Sequence, residues 1–235
     1  MNEYDIKLAL GHILVDSGDG WLLVDTGSPL SFHESGRIIL CGEYFSVPTS
    51  LLNADADYVS GKVHERVSGL VGMDILGRFG VRFDLHAGKL TFGCGTDGLT
   101  RLPSRSGMGY VFVDMSIGGR QARVILDSGA PVSYIDPSFT EGLASVDEVT
   151  DFNPMVPGDT FRTPIFELPA SFGGKSFTMR AGHLPGMLGM PLSMLGVDGV
   201  VGLELLSRYP LTLADGGVWM DAVAIALENH TFPMK

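Results

Sequence analysis

Short apolar runs alternate with glycine-containing turns along most of the chain, a rhythm that predicts many brief strands and little helix. His12 to Val15 and Trp21 to Val24 flank the turn Ser17-Gly18-Asp19-Gly20, so the two runs are expected to pair as a hairpin. Val111 to Ile117 and Ala122 to Leu126 flank Gly118-Gly119 in the same way. Two further pairs follow, Val81 to Leu85 with Lys89 to Phe92 around Ala87-Gly88, and Leu211 to Leu213 with Val218 to Met220 around Asp215-Gly216-Gly217. Helix is expected only in two short pieces rich in helix formers, Met73 to Phe79 and Leu203 to Tyr209.

These elements recur in order. Trp21-Leu22-Leu23-Val24-Asp25-Thr26-Gly27-Ser28-Pro29 is matched by Ala122-Arg123-Val124-Ile125-Leu126-Asp127-Ser128-Gly129-Ala130-Pro131. Gly69-Leu70-Val71-Gly72-Met73-Asp74-Ile75-Leu76-Gly77-Arg78-Phe79 is matched without a gap by Gly199-Val200-Val201-Gly202-Leu203-Glu204-Leu205-Leu206-Ser207-Arg208-Tyr209. Such ordered self-similarity is the mark of a duplicated unit. The join is the stretch Gly95 to Gly109, rich in Gly, Ser, Thr and Pro, which reads as a surface linker with the boundary near Ser104.

Composition narrows the class. There are 32 glycines and only 18% charged residues, so long solvated helices are disfavoured and an all-β fold is expected. The net charge of −11 would repel a phosphate backbone, and no basic run offsets it, so no nucleic-acid partner is expected. No apolar run approaches the length of a membrane span, and the acidic start Met1-Asn2-Glu3-Tyr4-Asp5 is unlike a signal peptide, so a soluble, cytoplasmic chain without a membrane partner is expected. Cys41 and Cys94 are too few for a disulfide scaffold and read as buried thiols. The six histidines show no metal-ligand or triad spacing and are expected in solvent or satisfied in loops, so neither a metal nor another cofactor is expected.

One aspartate at a strand end is commonly a turn former; two copies in duplicated units are another matter. A pseudo-two-fold arrangement would bring Asp25 and Asp127 together at its axis. Carboxyl groups about 3 Å apart cannot both ionise and share a proton, which supplies a base and an acid at one point. Thr26 and Ser128 carry hydroxyls able to bond across the axis, and Gly27 and Gly129 let a substrate backbone come close.

The motifs Val24-Asp25-Thr26-Gly27-Ser28 and Leu126-Asp127-Ser128-Gly129-Ala130, each followed by an apolar-Gly element (Leu70-Val71-Gly72 and Val200-Val201-Gly202), resemble those of the aspartic peptidases, pepsin-like and retroviral. The resemblance implies two similar retropepsin-like β-barrel lobes with an active-site cleft between them. Residues 1–103 would form the N-terminal lobe carrying Asp25, and residues 104–235 the C-terminal lobe carrying Asp127. It further implies a monomer that cleaves an extended peptide or protein substrate through Asp25 and Asp127, with Thr26 and Ser128 as the cross-axis grip and Gly27 and Gly129 as backbone contacts. A catalytically weak peptide-binding module with the same fold is the alternative.

The halves are unequal. Asp25 and Gly69 are 44 residues apart, Asp127 and Gly199 are 72 apart. The surplus falls in Val146 to Thr163 and Leu184 to Leu195. The first contains Phe152-Asn153-Pro154-Met155-Val156-Pro157-Gly158-Asp159 and reads as a single flap, with Phe152, Met155, Pro157 and Gly158 as substrate contacts and no flap tyrosine. The second, rich in methionine, suits core filling or an adaptable apolar surface. Ser28 is expected to donate its hydroxyl to Asp25, a bond that Ala130 cannot make to Asp127; the charge would then favour Asp25 and the proton Asp127.

Overall fold

The computed structural model describes residues 1–52, 54–152 and 160–221. The fold is all-β, built on two large sheets. The expected strands are present within a residue or two: His12–Asp16, Trp21–Val24, Val81–Asp84 and Lys89–Phe92 in the first half, and Tyr110–Ile117, Arg120–Leu126, Leu211–Ala214 and Gly217–Asp221 in the second. Their burial follows from position in the sheet. Val81–Asp84 and Lys89–Phe92 alternate inside and outside, as strands with one covered face do, whereas Gly69–Val71 and Gly199–Val201 are buried at every residue. These last two run parallel to the strands leading into Asp25 and Asp127, with registers Val24↔Val71 and Leu126↔Val201.

The ten-stranded sheet crosses the repeat. Leu211–Ala214 pairs with Val81–Asp84, and Gly217–Asp221 with Leu99–Arg101, so strands from the end of the described chain extend the sheet of the first half. The eight-stranded sheet closes on itself where Thr160–Phe172 returns to Tyr110–Ile117. One hydrophobic cluster runs through both halves, from Ile13 and Phe83 to Val113, Leu168 and Val218.

The stretch 95–109 is not a plain surface linker. It forms two strands, Leu99–Arg101 in the ten-stranded sheet and Ser104–Gly107 in the eight-stranded one, with Leu102 buried between them and its amide donating to the Val218 carbonyl. Apart from Leu102 the stretch stays at the surface, and its two strands are held by their ladder partners Gly217–Asp221 and Tyr110–Ile117.

Four helices are described, two more than the patterns predict. α1 (Ala56–Val63) starts at Asp55, whose carboxylate accepts from the Tyr58 amide at 2.8 Å, and buries Ala56, Val59 and Val63. α2 (Met73–Leu76) and α4 (Leu203–Arg208) are the expected pair. α3 (Gly186–Leu195) contains Gly189 and Pro191, residues that weigh against helix. Of its methionines, Met190 and Met194 are exposed rather than core-filling. Both cysteines are free thiols, half-buried rather than buried. Among the described residues no helix is long and apolar enough to cross a membrane.

Candidate active site

Each aspartate stands where a central strand ends. The Asp25 amide still donates to Val71 O at 3.0 Å, and the Asp127 amide to Val201 O at the same distance. The chain then turns, and the first residue of the following helix ties the loop down: Met73 N donates to Ser28 O and Leu203 N to Ala130 O, both at 2.9 Å. Gly72 and Gly202 lie directly behind these loops. A Cβ at Gly72 would sit 2.5 Å from Leu30 O, and one at Gly202 2.3 Å from Ala130 O, so only glycine lets the strand pass. Ser31 and Ser133 complete the fixture by accepting from the amides of Gly72 and Gly202 at 2.8 and 3.1 Å. Neither serine was singled out by the motifs, although both follow Pro29 and Pro131 by two residues.

Thr26 and Ser128 are fully buried and bond reciprocally. The Thr26 hydroxyl donates to Leu126 O at 2.7 Å and accepts from Ser128 N at 2.9 Å. The Ser128 hydroxyl donates to Val24 O at 2.9 Å and accepts from Thr26 N at 3.0 Å. Four hydrogen bonds therefore clamp one aspartate loop to the other.

The clamp brings the two carboxyl groups within hydrogen-bonding reach of each other. Gly27 and Gly129 flank them so closely that a Cβ at Gly27 would overlap the Asp127 carboxyl, and one at Gly129 would lie 2.5 Å from Asp25 Cγ. Asp25 Oδ1 accepts from the amides of Gly27 and Ser28 at 2.8 and 3.1 Å, and Asp127 Oδ1 from that of Gly129 at 2.8 Å. Both groups border open space on one side yet lie deep among protein atoms, and burial raises both above the ordinary carboxylate range. Asp127 is held well above it, by burial first and by the Asp25 charge second.

The expected role of the Ser28 hydroxyl is not what the structure has. That hydroxyl donates to Leu30 O at 2.7 Å, and only the Ser28 amide reaches Asp25. A hydroxyl two residues from a carbonyl closes a local turn at lower entropic cost than it would reach back to the carboxylate. The inequality between the aspartates therefore has another origin than Ser28 against Ala130.

A stability consequence follows. Carboxyl groups raised in the folded state hold protons that the unfolded chain has already released, so their contribution is complete below the ordinary carboxylate value and is lost as pH rises through the folded values. Asp127→Asn, which cannot ionise, is expected to unfold several degrees above the wild type at neutral pH. The gap should close toward about pH 3. Thermal denaturation across that range measures it, and an Asn variant no more stable than wild type at neutral pH would contradict the reading.

The aspartates lie in the lining of a cleft of about 760 Å³. One wall comes from Leu51, Leu52, Ala54, Tyr58, Val59, Lys62 and Val63, on a small hairpin (Ser50–Leu51 with Ala54–Asp55) and α1. Further lining comes from Tyr134, Asp151, Phe152, Phe161, Leu184 and Leu188 in the second half. Asp147–Phe152 and Thr160–Phe172 pair from Asp147↔Ile165 to Phe152↔Thr160, the two legs of the expected hairpin. Phe152 lines the cleft, whereas Met155, Pro157 and Gly158 fall outside the described residues.

Tyr134 and His12 are among the cleft residues that the motifs did not mark. Tyr134 donates its hydroxyl to the Asp151 carboxylate and so ties the hairpin down one pair before the end of its ladder; burial, then the Asp151 charge, pushes its phenol far up. His12 is buried, at 4% exposure, where histidine was expected in solvent or a loop. A repeated turn carries the signal for it. Leu10-Gly11-His12 matches Met108-Gly109-Tyr110, and each turn packs on the other half's aspartate loop: a Cβ at Gly11 would lie 2.7 Å from Pro131 Cβ, and one at Gly109 2.6 Å from Pro29 Cβ. Among the described residues no group of three or more His, Cys, Asp or Glu is placed to hold a metal ion.

No family model matches the chain, and no curated protein matches it. Among solved structures it is similar to the aspartic proteinase from Irpex lacteus, at 15% sequence identity with a TM-score of 0.49, over 97% of this chain and 99% of that one. At that identity and score, the chemistry of the site has to be argued from its own residues.

Proposed function

We propose that the protein is an aspartic endopeptidase in which Asp25 and Asp127 activate water to hydrolyse a peptide bond. The observation that carries this reading is the pair of carboxyl groups held against each other, in the lining of an open cleft, by the reciprocal Thr26–Ser128 bonds. The two groups share a proton. The ionised carboxylate draws a proton from a bound water as that water attacks the peptide carbonyl, while the protonated partner hydrogen-bonds the carbonyl oxygen as charge builds there. The proton then passes to the leaving amine, which restores the shared state.

The cleft suits an extended chain with apolar side chains, since Leu23, Leu30, Leu51, Val59 and Leu188 line it. Gly27 and Gly129 leave room for a substrate backbone at the dyad. The two repeated halves serve as lobes, and because one chain supplies both aspartates, a monomer suffices. The hairpin that carries Phe152 acts as a flap on the side of the second lobe.

Cleavage of a mixed peptide library, read by mass spectrometry from acidic to neutral pH with and without pepstatin, tests the proposal. Pepstatin-sensitive cleavage at internal bonds is expected. Peptide binding without cleavage at any pH would instead favour a binding module.

A further inference from the structure

We propose that His12 is a specificity residue of the cleft, whose Nε2 accepts a hydrogen bond from a donor side chain of the peptide; the proposal rests on the peptide-cleft reading above. The ring is fixed at its other nitrogen. Nδ1 faces Leu10 O at 3.0 Å and Ala9 O at 3.2 Å. Carbonyl oxygens only accept, so Nδ1 carries the ring hydrogen and Nε2 presents a bare lone pair. Burial holds the imidazole pKa below its ordinary value against the opposing pull of the Ala9 carbonyl, Asp151, the Leu10 carbonyl and Asp127, which favours the neutral ring with Nε2 as acceptor.

Nε2 is buried and has no hydrogen-bond partner among the described residues. Buried polar atoms are nearly always paired, and an orphan in the wall of a cleft points to a group that arrives with the ligand. His12 lines the same cleft as Asp25, Asp127 and Asp151, and the Phe152 ring lies 6.4 Å from its own. Asp151 already accepts from the Tyr134 hydroxyl, and Lys62 lies over the Phe152 ring at 5.3 Å. The class of ligand is thus a peptide with a hydroxyl or amide side chain, such as Thr, Ser, Asn or Gln, near the bond held at the dyad.

The test uses peptides that differ at one position by near-isosteric pairs, Thr against Val and Asn against Leu. They are measured twice, as cleavage by the wild type and as binding to Asp25→Asn protein. At one position the donor peptide is expected to be favoured by about tenfold, because a site built around a polar atom rejects the analogue that leaves it unpaired. His12→Phe should bring that ratio close to one, and His12→Gln, which can offer an amide oxygen, should restore part of it. The ratio is internal to each variant, so a loss of folded protein does not imitate the effect. Donor-selective binding without cleavage would sink the peptidase reading and leave the His12 assignment standing. Wild-type protein indifferent to the donor, or selectivity that survives in His12→Phe, would overturn it.

Discussion

Asp25→Asn and Asp127→Asn are each expected to lower kcat for peptide cleavage by about 10³-fold or more, with KM little changed. An amide is nearly the same shape as a carboxyl and keeps the acceptor that Gly27 N or Gly129 N bonds at 2.8 Å, so the loops and the cleft should persist. What disappears is the shared proton. General acid–base transfer by one positioned group is worth roughly 10²–10⁴-fold, and here sharing one proton is what leaves one carboxylate free to activate water and its partner protonated to polarise the carbonyl. Losing either carboxyl removes both functions, so Asp25→Asn/Asp127→Asn should be little worse than either single variant. Single-turnover kinetics on a peptide found in the library would read this, and either single variant that retains full activity would refute the mechanism.

Thr26→Val is expected to destabilise the fold by roughly 2–5 kcal/mol. The substitution keeps the volume but leaves Leu126 O and Ser128 N buried without partners, and each orphaned group costs about 1–3 kcal/mol. Ser128→Ala does the same to Val24 O and Thr26 N. Both hydroxyls sit at 0% exposure, so water cannot replace them while the loops stay together. In the double variant the loops part, the orphaned groups reach solvent, and the combined loss should fall short of the sum by about 0.5–3 kcal/mol. Denaturant unfolding measures all three. Thr26→Ser, which keeps both bonds, is the control expected near wild type. The same variants should lose activity more steeply than stability, because a small separation of the loops moves the carboxyl groups apart. Strict additivity, or a Thr26→Val loss below about 0.5 kcal/mol, would mean that the four bonds are not a clamp.

Both predictions depend on residues that the motif pairs had marked, and the reason is local. An apolar run that ends in Asp-Thr-Gly or Asp-Ser-Gly fixes a buried strand and a tight loop whatever surrounds it, and the repeat supplies the second copy. The helices show the opposite case. α3 has Gly189 and Pro191 against it, so its propensity argued for a loop, and α1 announces itself only by Asp55 as a cap before a modest run of apolar residues. The strands inside 95–109 were hidden for a similar reason: Leu99–Arg101 and Ser104–Gly107 have little apolar content, and the first of them pairs with Gly217–Asp221, far along the chain, while the second pairs with the adjacent Tyr110–Ile117. His12 was misread because a histidine at the start of a strand gives no sign of which cleft its turn will be pressed against.

By itself, then, the order of residues determined the duplication, the paired aspartate loops, the glycines behind them and the all-β character, because each depends on contacts within a few residues or on a period of two. Only the tertiary structure decided that the Ser28 hydroxyl closes its own turn, that strands near residue 220 complete the sheet begun near residue 2, and that His12, with an unpartnered nitrogen, joins the lining of the cleft that holds the dyad. The last two outcomes are set where segments about a hundred or more residues apart meet. At such distances packing and desolvation, rather than local propensity, choose the partner.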